Sequence, residues 1–171
     1  MKITRHYAIN ILFNRLGQMA LGNLDENTLE VALTNIEALR KVTDDFEALK
    51  KELFKRIYGD VEKMSEEDKT NINNFFAMLG KVKDEDAEAV KAAYPKLYAM
   101  REKEVMIIVS LLNKEIEIDL TPMDEKAFVK GIILGNKDAK AHEVSMIFAP
   151  MFKTIERDGK ADFAELDELM N

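Results

Sequence analysis

The sequence contains no cysteine and only two histidines. Without cysteine, neither a disulfide framework nor a thiolate metal site can form, and the chain suits the reducing cytoplasm, where we expect it. His6 and His142 belong to no zinc motif, because HEVSM lacks the second histidine of HExxH. Glycine is sparse too, and the seven glycines are scattered near predicted helix ends, so no glycine-rich loop can bind a nucleotide phosphate. We therefore predict no cofactor.

Long apolar runs are also missing. The longest dense run, VMIIVSLL at 105–112, is far shorter than the roughly 18 residues that a membrane-spanning helix needs. Near the N-terminus, Asn10, Asn14 and Arg15 interrupt the apolar residues, which favours a mature helix over a signal peptide. Lysine and arginine number 25 against 32 acidic residues, and the net charge of −7 repels phosphate backbones. We therefore expect no membrane partner, and nucleic acid is disfavoured as a partner.

Apolar residues do recur at helical spacing through most of the chain. The pattern predicts a mostly α protein, an elongated helical bundle that forms one domain over residues 1–171. Its longest predicted helix covers about residues 26–58, between the N-cap Asp25 and Gly59. A helix of this size is about three times the usual length, so it needs long partners in this chain or in another.

Shorter predicted helices lie on both sides of the long one. Thr4 caps a first helix that ends near Gly22, and Ser65 with Asp68 forms an approximate capping box for a helix that closes at Gly80.

Asp84 opens the next predicted helix, which Pro95 breaks because proline has no backbone N–H and disfavours helical geometry at the residue before it. Another helix then continues to about residue 113. One face of it carries Leu97, Arg101, Val105, Ile108 and Leu112.

The segment EIEIDL at 115–120 alternates apolar and charged residues, which predicts a short extended segment. An alternative remains open, because the β-branched residues of 105–112 would also suit a strand. In that case the two segments pair as a hairpin across Asn113 and Lys114.

Two short helices are predicted after this segment. Thr121, followed by a proline, caps a helix that runs toward Gly135. Asp138 caps another, which Pro150 interrupts or ends. We expect residues 154–171 to form a last helical turn or to fray.

The stretch ERDGKADFAEL resembles the second half of a calcium-binding EF-hand loop. With Gly159 at loop position six, Asp158, Asp162 and Glu165 occupy ligand positions, but Thr154 takes the first position, which normally supplies an aspartate. The pattern therefore favours a turn followed by a helix capped by Asp162 over a calcium site.

Pairs of acidic residues one helical turn apart are the ligands that hold magnesium in all-α nucleotide pyrophosphatases. Glu85 with Glu88, and Glu165 with Glu168, have this spacing. Both pairs also lie near predicted helix starts, where acidic residues stabilise the helix dipole. A magnesium-dependent hydrolase of this kind is the alternative to the function favoured below.

We favour a non-enzymatic helical protein that acts through protein–protein contacts, because no reactive set of residues converges and the longest helix needs partners. The chain then binds another protein or itself, for example as a homodimer. The predicted interaction face combines apolar residues of the long helix and of MIFAPMF: Leu29, Leu33, Ile36, Leu39, Phe46, Leu49, Leu53, Met146, Phe148, Met151 and Phe152.

Four stretches carry a resemblance to a known family: MKIT, YPKLYAMREKEV, LLNKEIEIDLTPM and MIFAPMF. They are similar to an uncharacterised family of small proteins encoded by bacteriophages and prophages. Those proteins start with a short MK-I/L segment, continue through long helices, and finish with an extended E-V/I-E-I segment and a short helical ending. The resemblance implies an accessory protein of a phage or mobile element, for example in tail or virion assembly, and brings no catalytic residues with it.

Overall fold

The computed structural model describes residues 1–81 and 87–152. The chain is mostly α-helical, as predicted, with one long helix and a small two-stranded sheet. In chain order the elements are β1 (Lys2–Thr4), a π-helix (Tyr7–Phe13), α1 (Asn14–Gln18), α2 (Glu26–Tyr58), a 3-10 turn (Val61–Lys63), α3 (Glu66–Leu79), α4 (Ala87–Ala93), α5 (Pro95–Asn113), β2 (Glu115–Glu117), α6 (Glu125–Gly135), α7 (Ala141–Phe148) and a second 3-10 turn (Ala149–Met151).

The chain divides into two compact units. Unit 1 comprises Met1–Gln18 and Leu33–Leu120, and unit 2 comprises Met19–Ala32 and Thr121–Asn171, of which residues up to 152 are described.

The long helix α2 begins and ends where the sequence predicts. Asp25 caps it, since one carboxylate oxygen accepts from the backbone N–H of Thr28 at 3.0 Å and the other from its hydroxyl at 2.7 Å. At the other end Gly59 has a φ of 104°, a left-handed conformation that only glycine adopts without strain.

The predicted extended segment pairs with the N-terminus of the chain. β2 lies antiparallel to β1, with Ile116 opposite Ile3, and the backbone N–H of Ile118 donates to the carbonyl of Met1 at 2.9 Å. Residues 105–112 belong to α5 instead, so the alternative of a local hairpin is wrong. The strand pairs with residues more than a hundred positions away, which no local pattern indicates.

The predicted first helix is present, but half of it, Tyr7–Phe13, has π geometry. Its start is capped as expected, because the hydroxyl of Thr4 accepts from the backbone N–H of Tyr7 at 3.2 Å. Ala8, Leu12 and Leu16 are all buried. Apolar spacing of four residues fits the wider π turn as well as the α turn, so the sequence pattern does not separate them.

Aromatic rings hold the middle of unit 1 together. Phe76 of α3 lies 6.1 Å from Phe54 and 5.6 Å from Tyr58, both of α2, while Phe75 meets Tyr94 at 5.9 Å between ring centres. Tyr94 separates α4 from α5, which begins at Pro95, so the predicted break is confirmed.

The predicted cap of α3 at Ser65 is also confirmed. The Ser65 hydroxyl accepts from the backbone N–H of Asp68 at 3.1 Å and donates to the Asp68 carboxylate at 2.7 Å. The predicted cap Asp84 lies outside the described residues.

Unit 2 packs α6 against α7 through Phe128, which lies 5.3 Å from Phe148 and 5.8 Å from Phe152 between ring centres. Gly131 of α6 is needed for close packing, because a Cβ there would come within 2.5 Å of the Leu24 side chain and 3.1 Å of its Cα.

The predicted N-caps of α6 and α7 are both wrong. Asp124 caps α6 by accepting from the backbone N–H of Ala127 at 2.7 Å, whereas Thr121 precedes an extended stretch in which Met123 pairs with Phe152. This pairing keeps the chain from turning helical earlier.

The predicted cap of α7, Asp138, is wrong because of the local backbone conformation. Asp138 lies within a turn closed by the backbone N–H of Ala139 and the carbonyl of Asn136, so α7 begins only after Lys140. Pro150 does end α7, as predicted, and lies in the following 3-10 turn.

Replacing Leu39 by alanine tests whether α2 is buried on the expected side. Leu39 has no solvent exposure, and Leu39→Ala should lower the free energy of unfolding by about 2–5 kcal/mol through lost burial and the cavity left behind. Leu33, on the same helix, is 49% exposed, and Leu33→Ala should change stability by less than about 1 kcal/mol. Urea denaturation of both variants measures the difference, and equal losses would show that the helix is buried on a different side.

Candidate functional site

The residues of the predicted interaction face do not share one environment. Four of them lie in the core of the chain: Leu39, Phe46, Phe148 and Met151. Four are half-buried: Leu29, Ile36, Leu53 and Phe152. Three are exposed: Leu33, Leu49 and Met146. The buried ones already pack within this chain, so a partner would have to contact exposed residues.

Exposed apolar side chains cluster on α5 in unit 1. Val105 is 40% exposed, Met106 is 73% exposed and Val109 is 48% exposed. At about 100° per residue these three positions fall within an arc of about 100° on one helix. We call them the α5 strip. The periodicity that predicted α5 also placed Val105 on its apolar face, but did not show which face meets solvent.

A groove runs beside the strip in unit 1. It encloses about 680 Å³ between α2, α5 and the N-terminal π-helix. Apolar side chains from all three elements line it: Ile9, Phe46, Phe54, Ile108 and Leu112. Polar lining comes from Asn10, Glu47, Lys50, Lys51, Arg101 and Glu104.

One wall of the groove contains a buried carboxylate. Glu104 of α5 is 7% exposed and accepts from the Tyr58 hydroxyl of α2 at 3.0 Å and from Nη1 of Arg101 at 2.6 Å. A buried charge without partners would be costly, and here a cation and a hydroxyl satisfy it. Burial raises the pKa of Tyr58, and the hydrogen bond to Glu104 raises it further. The pair links the two helices that form the groove.

Basic side chains gather round Phe46 at the other end of the groove. The guanidinium of Arg5 lies 5.9 Å and the ammonium of Lys50 lies 5.4 Å from the centre of its ring, distances at which cation–π attraction operates. Arg5 also donates to the carbonyl of Leu111 at 2.6 Å, and Lys50 pairs with Glu47 at 2.7 Å. These contacts hold the cations close to the apolar lining.

Only part of this arrangement is visible in the amino-acid sequence. Arg101 stands on the apolar face of α5, which is unusual for an unpaired cation, and Glu104 follows at the spacing that pairs side chains on one helix. Tyr58 as the third member required the packing of α2 against α5, which periodicity does not reveal. Apolar patterns count hydrophobic residues, so a buried ion pair escapes them.

The candidate metal residues are placed as follows. His6 is hydrogen-bonded to Asn10 at 2.9 Å, and His142 is exposed. Within residues 1–81 and 87–152, no three histidine or acidic side chains converge on one point. Glu88 is exposed, whereas its partner Glu85 lies outside the described residues.

The other carboxylate pair, Glu165 with Glu168, and the whole EF-hand-like loop with its residues Thr154, Asp158 and Gly159 also lie outside them. Among the helices that the structure describes, none combines the length and the apolar content that crossing a membrane requires.

Removing the Tyr58 hydroxyl tests the buried network. Tyr58→Phe leaves Glu104 with one partner fewer, and the free energy of unfolding should fall by about 1–3 kcal/mol. Tyr98→Phe is the control, because the Tyr98 hydroxyl bonds to none of the residues that the structure describes, and its change should stay within about 0.5 kcal/mol. Urea denaturation at neutral pH measures both. If Tyr58→Phe were as stable as the wild type, the Tyr58 hydroxyl would contribute nothing to the network.

The raised pKa of Tyr58 also predicts a pH dependence. The folded protein holds this proton more tightly than the unfolded chain, whose tyrosines titrate near pH 10. Its contribution to stability is therefore complete below about pH 10 and is lost as the pH rises further, by up to about 1.4 kcal/mol per pH unit.

Denaturation curves from pH 8 to pH 11 measure this loss, which should be smaller in Tyr58→Phe. Tyr7, whose pKa burial also raises, is present in both proteins and cancels from the difference. Parallel stability curves for the two proteins would contradict the assignment.

The groove and the α5 strip are thus two candidate surfaces of unit 1. Both depend on α5, which places apolar residues toward solvent and a carboxylate toward the core. Comparisons of the chain with protein-family models, with curated proteins and with solved structures find no match.

Proposed function

We propose that the chain is a non-enzymatic helical protein that acts through protein–protein contacts. The α5 strip carries this proposal. A strip of large apolar side chains in water lacks the favourable burial that drives folding and association, and covering it with a partner recovers that free energy.

The composition of the strip suits an interface. Val105 and Val109 are stiff side chains that lose little conformational freedom on contact, and Met106 is flexible enough to adapt to a partner's surface. The exposed charged residues Glu102 and Lys103 stand one turn earlier on the same helix, and a polar rim round an apolar centre is the usual anatomy of an interface.

The partner is either a second copy of this chain, which would form a homodimer, or another protein. We further propose an accessory or assembly role in a bacteriophage or mobile element, in the cytoplasm of its host. Support for that role comes from the resemblance of MKIT, EIEIDL and MIFAPMF to small proteins that phages and prophages encode.

A charge placed on the strip tests the proposal. Met106→Glu should weaken association at least about tenfold, because contact would bury an unpaired carboxylate. Sedimentation equilibrium measures self-association, and capture of the tagged chain from its source cells measures near-stoichiometric partners.

Val61→Glu is the control, since Val61 is 48% exposed on the first 3-10 turn and belongs to no apolar cluster on α5. It should associate like the wild type. If the wild type shows neither self-association nor a stoichiometric partner, or if Met106→Glu keeps its partner, the proposal fails.

A further inference from the structure

We infer that the groove of unit 1 receives an acidic amphipathic helix of a partner protein. This inference rests on the proposed function and deepens it, because it names the site and the chemistry of the partner. Helices that dock in grooves do so with an apolar face, and their outer residues meet the rim.

The groove has the dimensions of a helix site. Its lining extends along α5 from Arg101 to Leu112 and along α2 from Phe46 to Phe54. At 1.5 Å per residue these spans are about 16 Å and about 12 Å, which is two to three helical turns.

The two walls run antiparallel. The Tyr58 hydroxyl near the end of α2 bonds Glu104 in the first half of α5, while Arg5 stacks on Phe46 and bonds Leu111 near the end of α5. A docked helix would lie between walls of about 12 Å and about 16 Å.

The lining supplies an apolar floor for such a helix. Five of the lining side chains are large and apolar, and they come from three separate elements. The α5 strip adds to them, because Val105 directly adjoins the arc of Arg101, Ile108 and Leu112 on the helix surface. A partner helix in the groove can therefore extend over Val105, whereas Met106, about 140° from Arg101 round the helix, lies on another side of α5.

Charge selects an acidic partner. Three basic residues, Lys50, Lys51 and Arg101, line the groove against two acidic ones, Glu47 and Glu104. Both acids are already paired, Glu47 with Lys50 and Glu104 with Arg101, whereas Lys51 forms no ion pair with the residues that the structure describes. This local excess of positive charge stands in a chain with a net charge of −7. It attracts carboxylates and repels a basic helix.

Arg101 is held ready for such a contact. Its Nη1 is fixed by the buried Glu104, which Tyr58 holds in turn. Arg101 remains partly exposed, and a guanidinium has five N–H donors in a rigid plane, so its other nitrogens can meet a carboxylate. Because the side chain is already ordered, binding loses less conformational entropy.

Designed peptides test the inference directly. The probe is a capped helical peptide of about 14 residues with leucines at helical spacing on one face and glutamates elsewhere. Two matched peptides carry lysine or glutamine in place of every glutamate. Titration into the full chain, followed by amide chemical shifts, should place the glutamate peptide against residues 46–54 and 101–112. The lysine peptide should bind at least about tenfold more weakly than the glutamate peptide. Added salt should reduce this difference in affinity, because it screens the charges.

Variants of the chain separate this site from general electrostatics. Lys51→Glu should lower the affinity of the chain for the glutamate peptide about fivefold or more. Lys41→Glu makes the same change of charge on the same helix, outside the groove lining, and should leave the affinity within about twofold.

Three results would overturn the inference: no binding of the glutamate peptide, equal binding of the lysine peptide, or equal effects of the two variants. If these occur while Met106→Glu still abolishes partner binding, the groove assignment fails and the proposed function stands. If Met106→Glu also has no effect on association, both fail.

Discussion

The length of α2 is the constraint on which the rest of the molecule depends. A helix of 33 residues is about 50 Å long, and its apolar positions must be covered along that whole length. No neighbour of ordinary size can do this alone. The chain therefore contributes the first turns of α2 to one unit and the remainder to the other, and each part is buried by different elements.

Within unit 1, the elements that cover α2 leave a groove beside it. The aromatic cluster of Phe54, Tyr58 and Phe76 lies at the C-terminal end of α2, and the contact of Phe46 with Arg5 lies about three helical turns before Tyr58. Between them, α2 and α5 are joined by the bond from Tyr58 to Glu104, and the groove lies alongside. The buried Glu104 carboxylate, which accepts the bond from Tyr58, also orders the Arg101 guanidinium beside the groove. The proposed recognition therefore depends on side chains that also stabilise the fold.

Features set by neighbouring residues could be predicted from the sequence, and features set by distant ones could not. The caps at Asp25 and Ser65, the stop at Gly59 and the break before Pro95 each depend on backbone groups within a few positions. The pairing of β2 with β1 depends on residues far apart in the chain.

The candidate site likewise has features that could be predicted from the sequence and features that could not. Periodicity located α5 and its apolar residues, but exposure of Met106 and burial of Glu104 follow from which elements happen to cover that helix. The start of α6 was misplaced for a related reason, since the pairing of Met123 with Phe152 keeps the chain extended past Thr121. Local preference predicts the cap at Thr121, and the helix begins after Asp124 instead because of this tertiary contact.

The exposure of Met106 has a chemical consequence. In a chain without cysteine, methionine supplies all of the sulfur, and an exposed thioether reacts with peroxide faster than a buried one. Oxidation to the sulfoxide would put a polar S=O group at one edge of the α5 strip, and methionine sulfoxide reductases would restore the apolar side chain. Met123 and Met151, fully buried in unit 2, are protected from the same reagent. The surface proposed to meet a partner is thus also the part of unit 1 that an oxidant reaches most readily, so preparations of the protein need to be kept reduced for its binding to be measured.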